Sequence, residues 1–142
     1  MKIINKKAKF NYKLFETYES GISLTGAEVK TLLNNQADIS NAYVKIINNE
    51  AYLLNANIPL KNSITNPIRT RKLLLHRSEI TSIMTKMKQN KLTLIPTKLY
   101  NKGRKIKLEF ALAKGKRKFE KRQTIKKKDV EREIEQQLKG RN

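Results

Sequence analysis

The segment from Lys114 to Lys128 limits what this chain can fold into. It reads KGKRKFEKRQTIKKK and holds nine Lys or Arg residues but a single acid, Glu120. Only Phe119 and Ile125 offer substantial apolar surface, so the segment cannot bury enough to fold alone. We therefore expect the folded body to end before it, which predicts a domain over residues 1–113 and a basic tail over residues 114–142.

Positive charge extends over the whole chain. The formal net charge is +20; residues 1–113 hold 20 basic and 7 acidic side chains, and residues 114–142 hold 12 and 5. A polyanion would compensate the resulting repulsion, which makes nucleic acid the first-choice partner and an anionic membrane surface the second. Since 24 of the 32 basic residues are Lys, the alternative to a polyanion partner is that the protein is simply rich in Lys. That alternative does not explain the clustering of basic residues after Lys114.

The composition also argues against several kinds of protein. The chain has no cysteine, which excludes disulfides and thiolate metal sites. No apolar run approaches the roughly 18 residues of a membrane span, and the first residues lack the apolar core of a signal peptide. We expect a cytoplasmic protein.

Short apolar alternations between turn residues predict a mainly β body. Residues 1–9 are interpreted as a basic arm, residues 10–19 as the first strand, and residues 22–24 as a short strand after a break at Ser20-Gly21. Residues 27–34 have helical spacing, and Asn48-Asn49 between two alternating runs predicts a hairpin. Residues 55–67 are loop by composition. Residues 69–87 contain no Pro or Gly and are predicted as helix, with an interruption near residues 76–78.

Residues 92–100 and 106–112 predict two more strands around a turn at residues 101–103. Pro96 indicates that the first of them is an edge strand or is bulged there. About six antiparallel strands with an inserted helix favour a small closed barrel over an open sheet, because closure removes unpaired edges. The predicted fold is an OB-like antiparallel β-barrel with short helices and a disordered basic C-terminal tail.

Catalytic chemistry has little support in the sequence. His76 is the only histidine and stands beside Arg77 without an evident partner, so a packing or RNA contact is favoured over a general base. The seven carboxylates of the body are scattered, and no spacing brings two together as a metal-dependent nuclease requires. We predict that the protein is not an enzyme and has no metal or other cofactor.

Three basic clusters go beyond bulk charge. They are Asn5-Lys6-Lys7-Ala8 with Tyr12; residues 69–76, RTRKLLLH; and Lys114-Gly115-Lys116 followed by Glu120-Lys121-Arg122. The cations of residues 69–72 would lie at the start of the predicted helix, where they are unfavourable to the helix macrodipole. Contact with the phosphates of an RNA backbone would explain their presence there. Together with residues 19–22 (ESGI), 24–30 (LTGAEVK) and 37–40 (ADIS), these segments resemble the small protein B (SmpB) family, the bacterial protein partner of transfer-messenger RNA, over nearly the whole chain.

The resemblance implies a function and its partners. An OB-like barrel would bind the tRNA-like domain of transfer-messenger RNA (tmRNA) and deliver it to stalled ribosomes for trans-translation, while the tail occupies the empty messenger channel. The implied partners are tmRNA and the stalled ribosome, including its small-subunit rRNA, with no membrane, and we expect a monomer. Two positions depart from the family pattern: Glu120 stands where Asp is usual, and Phe10 where His is common.

The resemblance and the basic clusters together nominate two sets of residues. The family's RNA-binding face includes positions that match Asn5, Glu19, Leu74 and Lys107, and the clusters add Lys6, Lys7, Tyr12, Arg69, Arg71 and Lys72. The residues expected to act in the ribosome are Lys114, Gly115, Lys116, Glu120, Lys121, Arg122, Lys126, Lys127, Lys128 and Ile134.

Two of these residues have competing interpretations. Glu19 would accept from a base amino group or a ribose hydroxyl, or orient a neighbouring Lys; the alternative is an acid that only precedes a Ser-Gly turn. Leu73 to Leu75 cannot all be exposed, so the sequence alone favours a core position for Leu74, with apolar contact to an unstacked base as the alternative.

The end of the tail has a pattern of its own. Val130, Ile134 and Leu138 recur every four residues, with acids early and bases late, which suits a helix that docks on a partner. We predict a tail that is disordered alone and helical on the ribosome. The rival functions are a general basic OB-fold protein that binds RNA or ribosomes without a dedicated RNA, and a basic nuclease.

Overall fold

The computed structural model describes residues 1–60 and 65–116, and beyond them Lys121, Arg122, Ile125, Asp129 and Arg132, each in helical conformation. The elements are β1 Lys2–Ile4, α1 Ala8–Asn11, β2 Tyr12–Ile22, α2 Gly26–Leu33, β3 Tyr43–Ile47, β4 Glu50–Leu54, β5 Arg71–Leu74, α3 Arg77–Asn90, β6 Thr93–Lys102 and β7 Lys105–Gly115. The protein is thus mainly antiparallel β-sheet with short helices. In the part that the structure describes, no helix is long and apolar enough to cross a membrane.

The seven strands form one sheet in the order β1-β6-β3-β4-β5-β2-β7, and β6 also pairs with β7. Every pairing is antiparallel. The pairings therefore return to their start: six strands form a closed circuit, and β1 is added outside it on β6.

The two predicted hairpins are confirmed. Asn48 and Asn49 lie between β3 and β4 with φ of 51° and 62°, the backbone that a two-residue primed turn requires and that Asn tolerates. Gly103, with φ of 63°, turns the chain between β6 and β7.

The expected bulge at Pro96 is present as a register shift between Pro96 and Lys98. On the other edge of β6, Pro96 lies between the β3 pairing at Leu94 and the β1 pairing at Lys98, so neither of these two pairings needs its missing N–H.

The main apolar core draws on all seven strands, and a smaller buried cluster consists of Ala8, Ile95 and Ala113. Burial alternates along β7 from Lys105 to Phe110, as the sequence pattern requires, and then continues without a break through Ala113. Each strand of the sheet contributes to the core: Ile3, Ile22, Val44, Leu53, Leu73, Leu94, Leu99, Leu108 and Phe110. The helix α2 adds Leu32, and α3 adds Ile83.

Three predictions about elements are wrong. Residues 1–9 are not a simple arm, because residues 2–4 pair with β6 and bury Ile3, and α1 follows. The expected break at Ser20-Gly21 does not occur, because both residues pair with β7 and β2 continues to Ile22. Residues 69–87 are not one helix: residues 71–74 form β5, whose residues pair with β4 and β2, and the helix α3 begins only at Arg77.

Candidate nucleic-acid interface

A row of paired residues runs across five strands and carries the candidate site. Leu74 of β5 lies opposite Gly21 of β2, Gly21 opposite Lys107 of β7, Lys107 opposite Tyr100 of β6, and Tyr100 opposite Lys2 of β1. Neighbouring strands in a sheet lie about 5 Å apart, so five residues from distant parts of the chain form one continuous strip. We call it the cross-strand row.

Glu19 lies beside this row and is held by residues of β6. The Tyr100 hydroxyl donates a hydrogen bond to the Glu19 carboxylate, and the Lys102 ammonium lies 3.7 Å from it. The hydrogen bond from Tyr100 lowers the pKa of Glu19 and outweighs partial burial, with help from the charges of Lys102 and Lys107. Partial burial and the hydrogen bond to Glu19 raise the pKa of Tyr100 to about 12. Glu19 is thus an ionised acceptor with an oriented carboxylate, set among cations.

Leu74 is exposed, which contradicts the core position favoured by the sequence. Its exposed fraction is 59%, whereas its neighbour Leu73 is 1% exposed and lies in the core. The residues of β5 alternate between buried and exposed, so a strand, not a helix, decides which leucine points outward. The apolar surface of Leu74 lies at one end of the cross-strand row and is available to a partner.

Arg71, which was expected to contact RNA, is buried and bonds to other residues of the protein. Its side chain is 0% exposed, and its Nε donates to Glu28 Oε2 at 2.6 Å. Its other nitrogens donate to the carbonyl oxygens of Ala56 at 2.8 Å and Pro67 at 2.9 Å. The prediction that Arg71 contacts RNA is wrong for this conformation, because the guanidinium is enclosed and ties the 56–67 connection to α2.

Glu28 is the centre of this buried network. Beyond Arg71 it pairs with Arg69, which is partly exposed, and it accepts the backbone N–H of Thr25 at 2.9 Å in a capping box that begins α2. Burial is the largest influence on its pKa and raises it, but the hydrogen bonds from Arg69, Thr25 and Arg71 together prevail and lower the pKa. Lys72, by contrast, is exposed and lies 3.2 Å from Glu50.

Asn5 is not part of the cross-strand row. It is buried, its Nδ2 donates to the Pro96 carbonyl at 2.8 Å, and its backbone N–H donates to the Thr97 carbonyl at 2.8 Å, so it supplies hydrogen bonds beside the β6 bulge. Lys6 and Lys7 are exposed next to it, and Tyr12 is half-buried. The predicted site residues therefore divide between two regions of the surface.

Half of the predicted tail residues lie within the described part of the chain. Lys114 and Gly115 belong to β7, which runs two residues past the predicted boundary, and the backbone N–H of Lys116 donates to Asn11 at 2.9 Å. Lys121 and Arg122 are described as helical, and the Lys121 ammonium lies 6.0 Å from the centre of the Phe10 ring. Glu120, Lys126, Lys127, Lys128 and Ile134 lie outside the described residues.

The structure adds Tyr100, which the sequence analysis missed as a site residue. A signal was present, because Tyr100 faces Lys107 across a hairpin that the alternation predicts. His76 is exposed in front of α3, where its backbone N–H donates to Glu79 at 3.4 Å. Among the residues described, no group of three or more His, Asp or Glu side chains is placed to hold a metal ion.

Comparisons with known proteins agree on one family. A family model described as SmpB protein matches residues 2–140. An SsrA-binding protein of Mycoplasma mycoides subsp. mycoides is 52% identical over 134 residues, which cover 90% of this chain and 90% of the relative. An SsrA-binding protein of Thermosipho melanesiensis is 48% identical over 148 aligned positions, which cover 99% of this chain and all of the relative (100%).

A solved structure is similar as well. It is described as "tmRNA-SmpB: a journey to the center of the bacterial ribosome", is 38% identical, and superposes with a TM-score of 0.68 over 82% of this chain and 85% of that chain. The family model spans nearly the whole sequence, and the two curated relatives are close to half identical along almost their full length. The chain belongs to the SmpB protein family.

Proposed function

We propose that this protein binds the tRNA-like domain of tmRNA and delivers it to stalled ribosomes for trans-translation, the rescue of the ribosome and the tagging of the incomplete protein. The names of its relatives as SsrA-binding proteins support the RNA partner, and the similar structure of SmpB with tmRNA supports the ribosome. The formal net charge of +20 suits two RNA partners. The protein acts in the cytoplasm, where ribosomes translate, as a monomer and without catalysing a reaction.

The observation that carries the proposal is the cross-strand row with Glu19. It combines cations for phosphates, an ionised acceptor for a base amino group or a 2′-hydroxyl, and an exposed leucine for an unstacked base. A surface that bound RNA through charge alone would need neither the oriented carboxylate nor the exposed leucine. This combination favours recognition of one structured RNA over general binding.

The fold in this proposal is an OB-like barrel. Its support is the closed circuit of six strands, with α3 inserted between β5 and β6. Small barrels of this kind bind nucleic acid on an exposed strand face. In that frame Lys107, Glu19 and Leu74 contact tmRNA directly, and Lys72 and Arg69 add contacts at the edge of the same surface. Asn5, Lys6, Lys7 and Tyr12 form a second contact region.

The tail has a separate target in this proposal. Residues 114–142 carry twelve basic side chains, and the part beyond β7 acts in the ribosome by entering the empty messenger channel as a helix. Lys114, Gly115, Lys116, Lys121 and Arg122 form the part next to the barrel, and the remaining predicted residues extend further. Phosphates of the small-subunit rRNA would neutralise the basic half.

Capture of the full-length protein from a lysate of a bacterium that contains tmRNA, followed by sequencing of the bound RNA, tests the function. We expect one tRNA-like RNA to be strongly enriched and to stay bound against excess competitor tRNA. A broad mixture of RNAs with a steep salt dependence would instead identify a general RNA-binding protein. Cleavage of the captured RNA by the purified protein would contradict the absence of catalysis.

A further inference from the structure

A cavity of about 430 Å³ opens at the end of β7, where the chain leaves the sheet. Its polar lining contains three asparagine side chains, Asn5, Asn11 and Asn41, together with Ser40 and the rings of Tyr12 and Tyr43. Of the residues that the structure describes, no acidic residue lines it, and Lys7 is the one cation in the lining. We call it the β7-end cavity. Its volume lies within the range of sites that hold small ligands.

This cavity is separate from the cross-strand row. Three residues of the lining, Tyr12, Thr93 and Ile95, pair with Gly115, Ala113 and Ala111, so the cavity lies beside the last part of β7. Lys107 of the row is earlier on the same strand. At about 3.3 Å per residue, roughly 13 to 26 Å of β7 separate Lys107 from these positions.

Asn5 lines both this cavity and a neighbouring one, and its side chain holds an unused hydrogen-bond acceptor. The residue is 5% exposed, and its Nδ2 is occupied by the Pro96 carbonyl, but its Oδ1 is buried and has no hydrogen-bond partner. Buried polar atoms are nearly always paired, so an orphan acceptor in the lining of a polar cavity points to a ligand that donates an N–H or O–H.

A rigid turn presents the opposite wall. Asp38 Oδ1 accepts the backbone N–H of Ser40 at 2.8 Å, and the backbone N–H of Ala42 donates to Ile39 at 3.1 Å. The turn holds Asn41 in an exposed position at the start of β3, next to Tyr43, whose side chain is 38% exposed. The turn thus places two residues with planar side chains, an amide and a ring, in the cavity lining.

The lining selects for a base more than for a phosphate. Asparagine amides match the donor and acceptor pattern of base edges, above all adenine, and tyrosine rings stack on unpaired bases. A site built for phosphate would concentrate cations, as the neighbouring cavity does with Lys2, Lys6, Lys9 and Lys98. The β7-end cavity has Lys7 alone, enough for the one phosphate that accompanies a single nucleotide.

From this geometry we propose that the β7-end cavity receives the base of one unpaired RNA nucleotide. The inference rests on the proposed function for the identity of the RNA, because the nucleotide belongs either to tmRNA or to ribosomal RNA. Asn5 accepts from the base or the ribose, Asn41 contacts the base edge, Tyr43 stacks, and Lys7 pairs with the phosphate.

Side-chain amide NMR of the full-length protein tests the cavity without any assumption about the RNA. Addition of adenosine 5′-monophosphate should shift the signals of Asn5, Asn11 and Asn41, and ribose 5-phosphate at the same concentration should not. Equal shifts with both compounds would overturn the proposal in favour of a phosphate site. No shift with any of the four ribonucleoside monophosphates would overturn it outright.

Variants assign the nucleotide to an RNA. Tyr43→Ala is compared with Ile47→Ala, an exposed apolar residue four positions along the same strand and outside the cavity lining. Tyr43→Ala should weaken binding by about tenfold, since stacking of one base is worth roughly that factor, and Ile47→Ala should not. Loss confined to a transcript of the tRNA-like domain identifies tmRNA; loss confined to stalled ribosomes that receive the complex identifies ribosomal RNA.

Failure of the inference is distinct from failure of the proposed function. If wild-type protein binds tmRNA and ribosomes and Tyr43→Ala does so equally well, the cavity proposal is wrong and the function stands. If wild-type protein does not select tmRNA, the proposed function is wrong, and the response of the asparagine amides to nucleotides still decides whether the cavity binds a base.

Discussion

Leu74 lies directly over Gly21, so that a Cβ added to Gly21 would be 3.2 Å from the Leu74 Cδ1 and 3.3 Å from its Cβ. These distances are shorter than ordinary carbon contacts, and the Cβ of Leu74 can move only with its backbone. The absence of a side chain at Gly21 therefore sets the position of the exposed leucine at the end of the cross-strand row.

We predict that Gly21→Ala weakens binding of the tRNA-like domain by displacing Leu74, with a loss of stability of about 1 to 3 kcal/mol from overpacking. Gly26→Ala is the matched control, because a Cβ there meets nothing within 4 Å. Affinity is measured for a transcript of the domain, and stability by urea unfolding. Unchanged affinity in Gly21→Ala would show that the position of Leu74 does not matter for the RNA.

Glu28 should be the most important acidic residue for stability. Glu28→Gln leaves the enclosed guanidinium of Arg71 without its counter-charge, and removal of one partner from a buried pair costs about 3 to 5 kcal/mol. Glu50→Gln is the control, since its pair with Lys72 has both side chains about half exposed and such pairs contribute at most about 1 kcal/mol. Urea unfolding of both variants measures the difference; equal losses would contradict the role of the buried network.

The same network predicts a dependence of stability on pH. The pKa of Glu28 is lowered in the folded protein from its ordinary 4.5, so the folded state holds fewer protons than the unfolded chain near that pH. The contribution of Glu28 is fully present above its ordinary pKa and is lost as the pH falls through its folded value. Wild-type protein should therefore lose more stability between neutral pH and pH 4 than Glu28→Gln. Parallel curves would show that Glu28 is not the group responsible.

Local patterns in the sequence predicted the hairpins but could not reveal the partners of Arg71. The Asn48-Asn49 turn and the alternation around Gly103 are signals within a few residues, and both hairpins form where expected. Arg71 looked like an RNA contact because basic residues surround it, but its counter-charge, Glu28, is 43 positions earlier in the chain. Which of the two leucines, Leu73 or Leu74, faces the core also depends on the pairing of β5 with β4. No local sequence pattern shows that pairing.

Tyr100 should orient Glu19 for RNA recognition. Tyr100→Phe removes the hydroxyl that donates to the Glu19 carboxylate and keeps the ring, so we expect a several-fold loss of affinity for the tRNA-like domain with little change in the fold. Tyr52→Phe is the control, because it removes a similar hydroxyl contact to Glu50, at 2.5 Å, elsewhere on the sheet.

A titration gives an independent readout of this pair. Glu19→Gln removes the negative charge beside the Tyr100 hydroxyl and leaves only a neutral amide oxygen to accept from it, so the pKa of Tyr100 should fall from about 12 toward its ordinary 10. The tyrosinate absorbance follows it, with Tyr100→Phe used to assign the late-titrating group. An unchanged late titration in Glu19→Gln would mean that the two side chains do not interact in solution.

The point at which the tail can be removed follows from β7. Gly115 pairs with Tyr12, Lys114 with Lys13, and Lys116 donates to Asn11, so a truncation after Ala113 would remove part of the sheet along with the tail. Truncation after Lys116 should leave binding of the isolated tRNA-like domain intact and abolish tagging of stalled chains, because the sheet keeps its RNA surface while the ribosome loses its contact with the tail. The two activities are measured separately, by binding to the transcript and by tagging in a reconstituted translation system. Loss of both in the truncated protein would show that the tail binds the same RNA as the sheet.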